Sequence, residues 1–152
     1  MNSSAAASAR EVAERFLHAA ADPVGRNLAD LYADNVVLEM PFALPQYPKV
    51  HETGREELRA RFQSGQASRR YEKVDSAEIH ETGDPEKVVI EYALHGKSLV
   101  TDESFAINYV MVVTVRDGQI VHSRDYTDPI AAMTALGAIP QLIESLSAQQ
   151  GQ

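Results

Sequence analysis

The dipeptide Asp117–Gly118 lies between two runs poorly suited to a helix. "SFAINYVMVVTV" precedes it, rich in β-branched and aromatic residues, and "QIVHSRDY" follows at once. Asp-Gly between two such runs predicts a hairpin, because both central residues of the tight turn need positive φ. Upstream, "KVVIEYALHG" alternates. Val88, Ile90, Tyr92 and Leu94 fall on one side, and Val89, Glu91, Ala93 and His95 on the other. From Tyr71 onward the chain therefore reads as long strands paired antiparallel.

The first half follows a different period. Ser8 and Glu11 form an S-x-x-E capping box, which predicts a helix to about Ala21 with Val12, Phe16, Ala19 and Ala20 as its apolar stripe. His18 falls on the polar side. Asp22–Pro23 ends this helix, since the residue before proline is pushed out of helical geometry. "NLADLYA" predicts a short second helix with Leu28, Leu31 and Tyr32 on one side, and Val36 to Met40 a strand. Thr53 and Glu56 repeat the capping box ahead of a helix that buries Leu58 and Phe62. Helices followed by a run of strands give an α+β fold, with the helices on one face of a curved antiparallel sheet. One domain over residues 1–152 is expected, with residues 1–8 a flexible start and 144–152 a flexible tail.

Composition narrows the chemistry. A chain of 152 residues buries about 70% of its unfolded surface. With no cysteine, disulfides, thiolate nucleophiles and Cys-ligated metals are excluded. A net charge of −8 argues against a nucleic-acid partner, which needs phosphate-neutralising patches. No apolar run approaches the roughly 18 residues of a membrane span, and "MNSSAAASA" has no signal-peptide pattern. A cytoplasmic protein with no membrane partner is expected. The only basic pair, Arg69–Arg70, reads as a solvated surface feature. His18, His51, His80, His95 and His122 show no metal-site spacing, and neither a nucleophile elbow nor a phosphate-cradling glycine loop is present. The expectation is no metal and no cofactor.

"YADNVVLEMPFALP", "GREELRARF" and "DGQIVHSRDYTDPIAAMTALG" together resemble the nuclear transport factor 2-like superfamily. Within it, the chain is most similar to SnoaL-like polyketide cyclases and phenazine-biosynthesis A/B proteins. The resemblance runs from about Glu11 to Ile143. It implies a cystatin-like cone: a strongly curved sheet and N-terminal helices around an apolar pocket, usually in a dimer. Symmetric pairing about Asp117–Gly118 puts Ser123, Asp125 and Thr127 on one face with Val112, Val110 and Asn108. Tyr109, Met111, Ile120, His122, Arg124 and Tyr126 share the other. Periodicity alone does not say which face looks inward. The resemblance implies that Asp125 does, because these relatives carry an acid there that acts in proton transfer.

Asp125 is thus the candidate catalytic residue, and Phe16, Met40, Phe42, Phe62, Ile90, Tyr92, Asn108, Val110, Val112, Ser123 and Thr127 are candidate ligand-binding residues. A lone carboxylate in such surroundings is desolvated, and its pKa should rise. The alternative is an exposed strand carboxylate paired with Arg124 or His122. Asp128 before Pro129 is explained as a helix N-cap. Glu39 is expected to face out, and His51 to sit on a loop near the pocket mouth.

Departures from relatives also count. Met40, Phe16 and Val110 or Met111 replace the polar machinery of the steroid isomerases of this fold. Arg61 stands where some phenazine proteins have a histidine. What the resemblance then implies is a cofactor-independent isomerase, cyclase or dehydratase acting on a small apolar or cyclic carbonyl-type molecule. The alternative is a non-catalytic ligand-binding or dimerisation module. A homodimer is expected through the face carrying His122, Arg124, Tyr126, Tyr109 and Met111, an aromatic and polar mixture suited to a two-fold interface.

Overall fold

The computed structural model describes residues 5–22 and 27–151. Helix α1 (Ala9–Ala20) begins at Ser8, whose Oγ accepts the Glu11 N–H at 3.1 Å, as the capping box requires. Pro23 lies outside the described residues. A single 3-10 turn, Ala29–Leu31, stands in place of the expected second helix, and strand β1 (Tyr32–Glu39) starts directly after it. β2 (Val50–Thr53) is a strand that the sequence reading placed in a loop, so His51 is a strand residue. Helix α2 (Arg55–Ser64) follows with Gly54 rather than Thr53 at its N-cap. An Ala at position 54 would put its Cβ 2.6 Å from the Asp34 carbonyl oxygen, which explains the glycine.

Four long strands come next: β3 (Arg69–Glu81), β4 (Lys87–Ser98), β5 (Ser104–Arg116) and β6 (Gln119–Thr127). Helix α3 (Pro129–Ala135) is capped by the Asp128 carboxylate, which accepts the Ala131 N–H, and Pro129 takes the first helical position. Gly137 (φ 65°) turns the chain into α4 (Ile139–Gln150), which runs through residues expected to form a tail.

The six strands make one sheet in the order β2-β1-β6-β5-β4-β3. All neighbours are antiparallel except β1 and β6, which pair in parallel with Leu38 opposite Ser123. The sheet is therefore mixed, where an antiparallel one was expected. Parallel pairing is invisible to hairpin logic because no turn joins the two strands.

The concave face holds the core. Val88, Ile90, Tyr92 and Leu94 from β4 meet Val12, Phe16 and Ala20 from α1, and Leu58 from α2 joins the same buried cluster. α1 lies across β3, β4 and β5, and α2 lies on β1. Phe16 meets Tyr92 edge-on at 5.8 Å, and Tyr92 stacks on Tyr109 at 5.0 Å. Arg55 ties α2 to β1, its Nε donating to the Tyr32 carbonyl at 2.8 Å.

The β5–β6 hairpin corrects the expected register. Asp117 (φ 53°) and Gly118 (φ 76°) form the positive-φ turn as expected, with Arg116 opposite Gln119 and Val115 opposite Ile120. Thr114 then pairs with His122, so Val121 is an extra residue on β6. Such a bulge shifts pairing by one, and a one-residue slip moves every later side chain to the other face. Asp125 is opposite Met111, and Thr127 is opposite Tyr109. Asn108, Val110 and Val112 are consequently on the outer face, with Asn108 exposed. Tyr109 and Met111 are inward, not on the outer face where the symmetric register put them.

Candidate active site

Two adjoining cavities meet at Asp125. One, of about 310 Å³, lies between the end of α1, α2 and the sheet, and its walls include Leu28, Phe62, Tyr71 and Tyr109. The other, of about 340 Å³, lies under the 40–47 segment and α3, and its walls include Phe42, Leu44, Tyr47 and Met133. Met40, Arg69, Asp125 and Thr127 line both. Each cavity is at the lower end of the range for small-ligand sites, about 300–1,000 Å³.

β6 positions the acid. Ile120 and Ser123 are fully buried and pin the strand against the core. The Ser123 hydroxyl donates a hydrogen bond to Oδ1 of Asp125, two residues along the same face. Asp125 itself is half-buried, enclosed by protein yet reachable from the cavities. Burial pushes its carboxyl up to about 6, against the opposing pull of the Ser123 hydroxyl and the charge of His122. The alternative of a surface ion pair with Arg124 or His122 does not hold. Both turn outward and meet Glu39, Arg124 Nε at 2.9 Å and His122 Nε2 at 3.4 Å. Glu39 faces out as expected, and the Arg124 hydrogen bond and then that of His122 hold its carboxyl below the usual range.

The phenols around the acid stay neutral. Burial raises Tyr92 well above the ordinary value, with smaller contributions from Tyr109, Tyr32 and Asp125. It raises Tyr32 and Tyr109 likewise. Tyr109 lines the first cavity, so a neutral hydroxyl-bearing ring stands in the same space as the acid. The Tyr92 hydroxyl is taken by Met111 Sδ at 3.6 Å and lies in the core beneath.

Of the residues expected to bind a ligand, Met40, Phe62 and Thr127 line the cavities, and so does Phe42, which is 64% exposed and leans on Tyr126 at 5.2 Å. Phe16, Ile90 and Tyr92 are core residues behind the wall. Ser123 supports Asp125 from a fully buried position. Asn108, Val110 and Val112 are removed from the cavity by the Val121 bulge.

The sequence reading missed Arg69 and Tyr109. Arg69 opens β3 in phase with Tyr71, its guanidinium carbon 5.8 Å from the Tyr71 ring centroid. That two-residue phase with an aromatic strand residue was the available signal, and the adjacent Arg70 masked it. Glu78, His80 and Glu91 bring ligand-type atoms within 4.8 Å of one another, but on exposed or half-exposed positions that line neither cavity. No helix among the described residues is long and apolar enough to cross a membrane.

A helix-backed, curved sheet with an acid on its inner face defines an α+β cone of the ketosteroid isomerase-like class. A model of the SnoaL-like domain matches residues 13–123, and the chain belongs to that family, within the nuclear transport factor 2-like superfamily. Asp125 lies two residues beyond the matched segment. The chain is 30% identical over 131 residues to an uncharacterised PhzA/B-like protein of Pseudomonas aeruginosa, covering 86% of this chain and 92% of that one. Among solved structures, a candidate isomerase from Bacillus subtilis superposes with a TM-score of 0.76 at 24% identity, covering 86% and 93% of the two chains. A candidate polyketide cyclase from Pseudomonas putida superposes at 0.68 with 14% identity, covering 86% and 98%. At these identities the structural matches establish the fold.

Proposed function

We propose that the protein is a cofactor-independent isomerase or cyclase of small carbonyl compounds, with Asp125 as the group that takes and returns the proton. The supporting observation is the position of this carboxyl, between two cavities with its pKa at about 6. Near neutral pH such a group is close to the point where it can both accept and donate, which is what moving a proton next to a carbonyl requires. Ser123 holds one carboxylate oxygen, leaving the other for the substrate. Tyr109 supports the reading because it lines the same cavity and stays neutral, so its hydroxyl is a donor for an oxygen that gains charge. The names carried by the related structures, an isomerase and a polyketide cyclase, agree with this class of reaction.

The test is Asp125→Asn, which keeps the shape and removes the proton acceptor. Turnover of the true substrate should fall by about 10²–10⁴-fold, the usual contribution of a positioned general base. Without a substrate in hand, the carboxyl can be titrated by ¹³C NMR. A value at or below the model-peptide figure of about 3.9 would replace the enzyme with a ligand-binding module.

A further inference from the structure

Among the described residues Arg69 is a cation without a counter-ion, as are Arg15 and Arg70, and of the three it alone lines the two cavities. Arg10, Arg55, Arg59, Arg61, Arg116 and Arg124 each lie within 4.0 Å of a carboxylate. Among the described residues no carboxylate comes that close to Arg69, and its buried Nε has no hydrogen-bond partner. The side chain is held by other means. Its backbone is fixed opposite Ser98 in the sheet, the Tyr71 ring lies beside the guanidinium, and Nη2 passes within 3.4 Å of where a Cβ on Gly65 would stand. Gly65 thus stands as a wall beside the fork, at a distance where a Cβ would make ordinary contact.

A guanidinium drawn partly out of water with an unanswered N–H is costly. The Nε itself is closed off by protein, so a ligand meets the guanidinium through its Nη groups and offsets the cost of the half-buried charge. Arg69 lines both cavities together with Asp125 and Thr127. It forms no ion pair with Asp125, whose titration is governed by burial, Ser123 and His122. The cation is therefore available to something in the cavity. The whole chain carries a net charge of −8, so an anion is repelled at long range and needs a local cation to stay.

We propose that Arg69 anchors a carboxylate on the substrate, so that the cavities take a small carbonyl compound bearing one carboxylate. The carbonyl in this description rests on the acid/base reading of Asp125, whereas the carboxylate rests on Arg69 alone. The planar fork suits a carboxylate bound through two parallel N–H···O bonds. One guanidinium facing an ionisable acid suits a single negative charge better than a phosphate dianion.

The experiment compares matched anionic and neutral probes by NMR titration of the intact chain: benzoate against benzamide, and 4-oxocyclohexanecarboxylate against its amide. In the wild type each carboxylate should bind about tenfold or more tightly than its amide. Arg69→Met should erase the difference, and Arg69→Lys, which keeps the charge but not the fork, should retain part of it. Asp125→Asn should leave it intact, so loss of the acid/base reading and loss of the anchor are separable. Equal binding of acid and amide in the wild type overturns the proposal without any variant. So does no binding of either carboxylate at tens of millimolar, or a preference that survives in folded Arg69→Met.

Discussion

Asp125 makes the protein sensitive to pH through its own titration. In the unfolded chain an aspartate ionises near 3.9, and in the fold it is held at about 6. Between roughly pH 4 and pH 6 the unfolded state gives up this proton while the folded state keeps it. Stability should therefore fall as pH rises through that window and level off above it, by on the order of 2–3 kcal/mol. Asp125→Asn should remove this slope and leave the protein at least as stable as wild type at pH 8, which urea unfolding across the pH range would show. An unchanged slope would mean that another group carries it. Ser123→Ala removes the hydrogen bond that pulls the carboxyl down, so Asp125 should titrate above its wild-type value; a fall would contradict the assigned donor. Single residues were legible in the sequence where their partners were local. Ser8 and Asp128 cap helices a few residues away, and both do so as expected. Arg69 was legible only as sharing a strand face with Tyr71; nothing near it in the chain shows that this face borders a cavity.

The hairpin of β5 and β6 shows where reading elements from sequence succeeds and where it stops. The turn announces itself, because Asp117 and Gly118 are residue types that tolerate positive φ. The bulge does not, since Val121 is an ordinary strand residue with no glycine to mark it. Yet the bulge sets the site: it brings Tyr109 and Met111 inward and sends Val110 and Val112 out. Deleting Val121 should therefore remove the bulge yet keep Thr114 opposite His122 and Met111 opposite Asp125, so that Ser123, Asp125 and Thr127 still face inward. The expected result is retained cooperative unfolding by circular dichroism with Asp125 still titrating near 6, since Ser123 and Ile120 keep their buried partners Val113 and Val115. A deletion variant in which Asp125 falls to the model-peptide value of about 3.9 would show that the extra residue itself holds the acid inward.

At the scale of the whole molecule, α1 and α2 pack on the concave side of the sheet. Val110, Val112, His122, Arg124 and Tyr126 stand half-buried on the convex side of β5 and β6. The face expected from sequence to make a dimer is thus still present, with Val110 and Val112 in place of Tyr109 and Met111. We propose a homodimer through it, a half-apolar patch with Glu39, Arg124 and His122 as its polar part. Light scattering at micromolar concentration should give twice the chain mass, and Tyr126→Lys should reduce it to one. A wild-type monomer, or a dimer indifferent to that change, would rule this face out. The overall α+β plan was legible because period and caps are local; the parallel pairing of β1 with β6 was not.

That parallel pairing decides when the cavity comes into existence. Glu39 and Arg124, bonded side by side, are separated by 85 residues of chain. Contacts so distant in sequence require a large loop to close before they give anything back, and they form late and slowly. Met40 follows the first of these strands, while Asp125 and Thr127 belong to the last. A chain still emerging from the ribosome can make its first helix and the β3–β4 pair, but it has no complete cavity until β6 is free to dock. A small molecule that fits this cavity therefore has nothing to template early in folding. It can only stabilise the final docking of β6, and slow the first step by which the finished molecule comes apart.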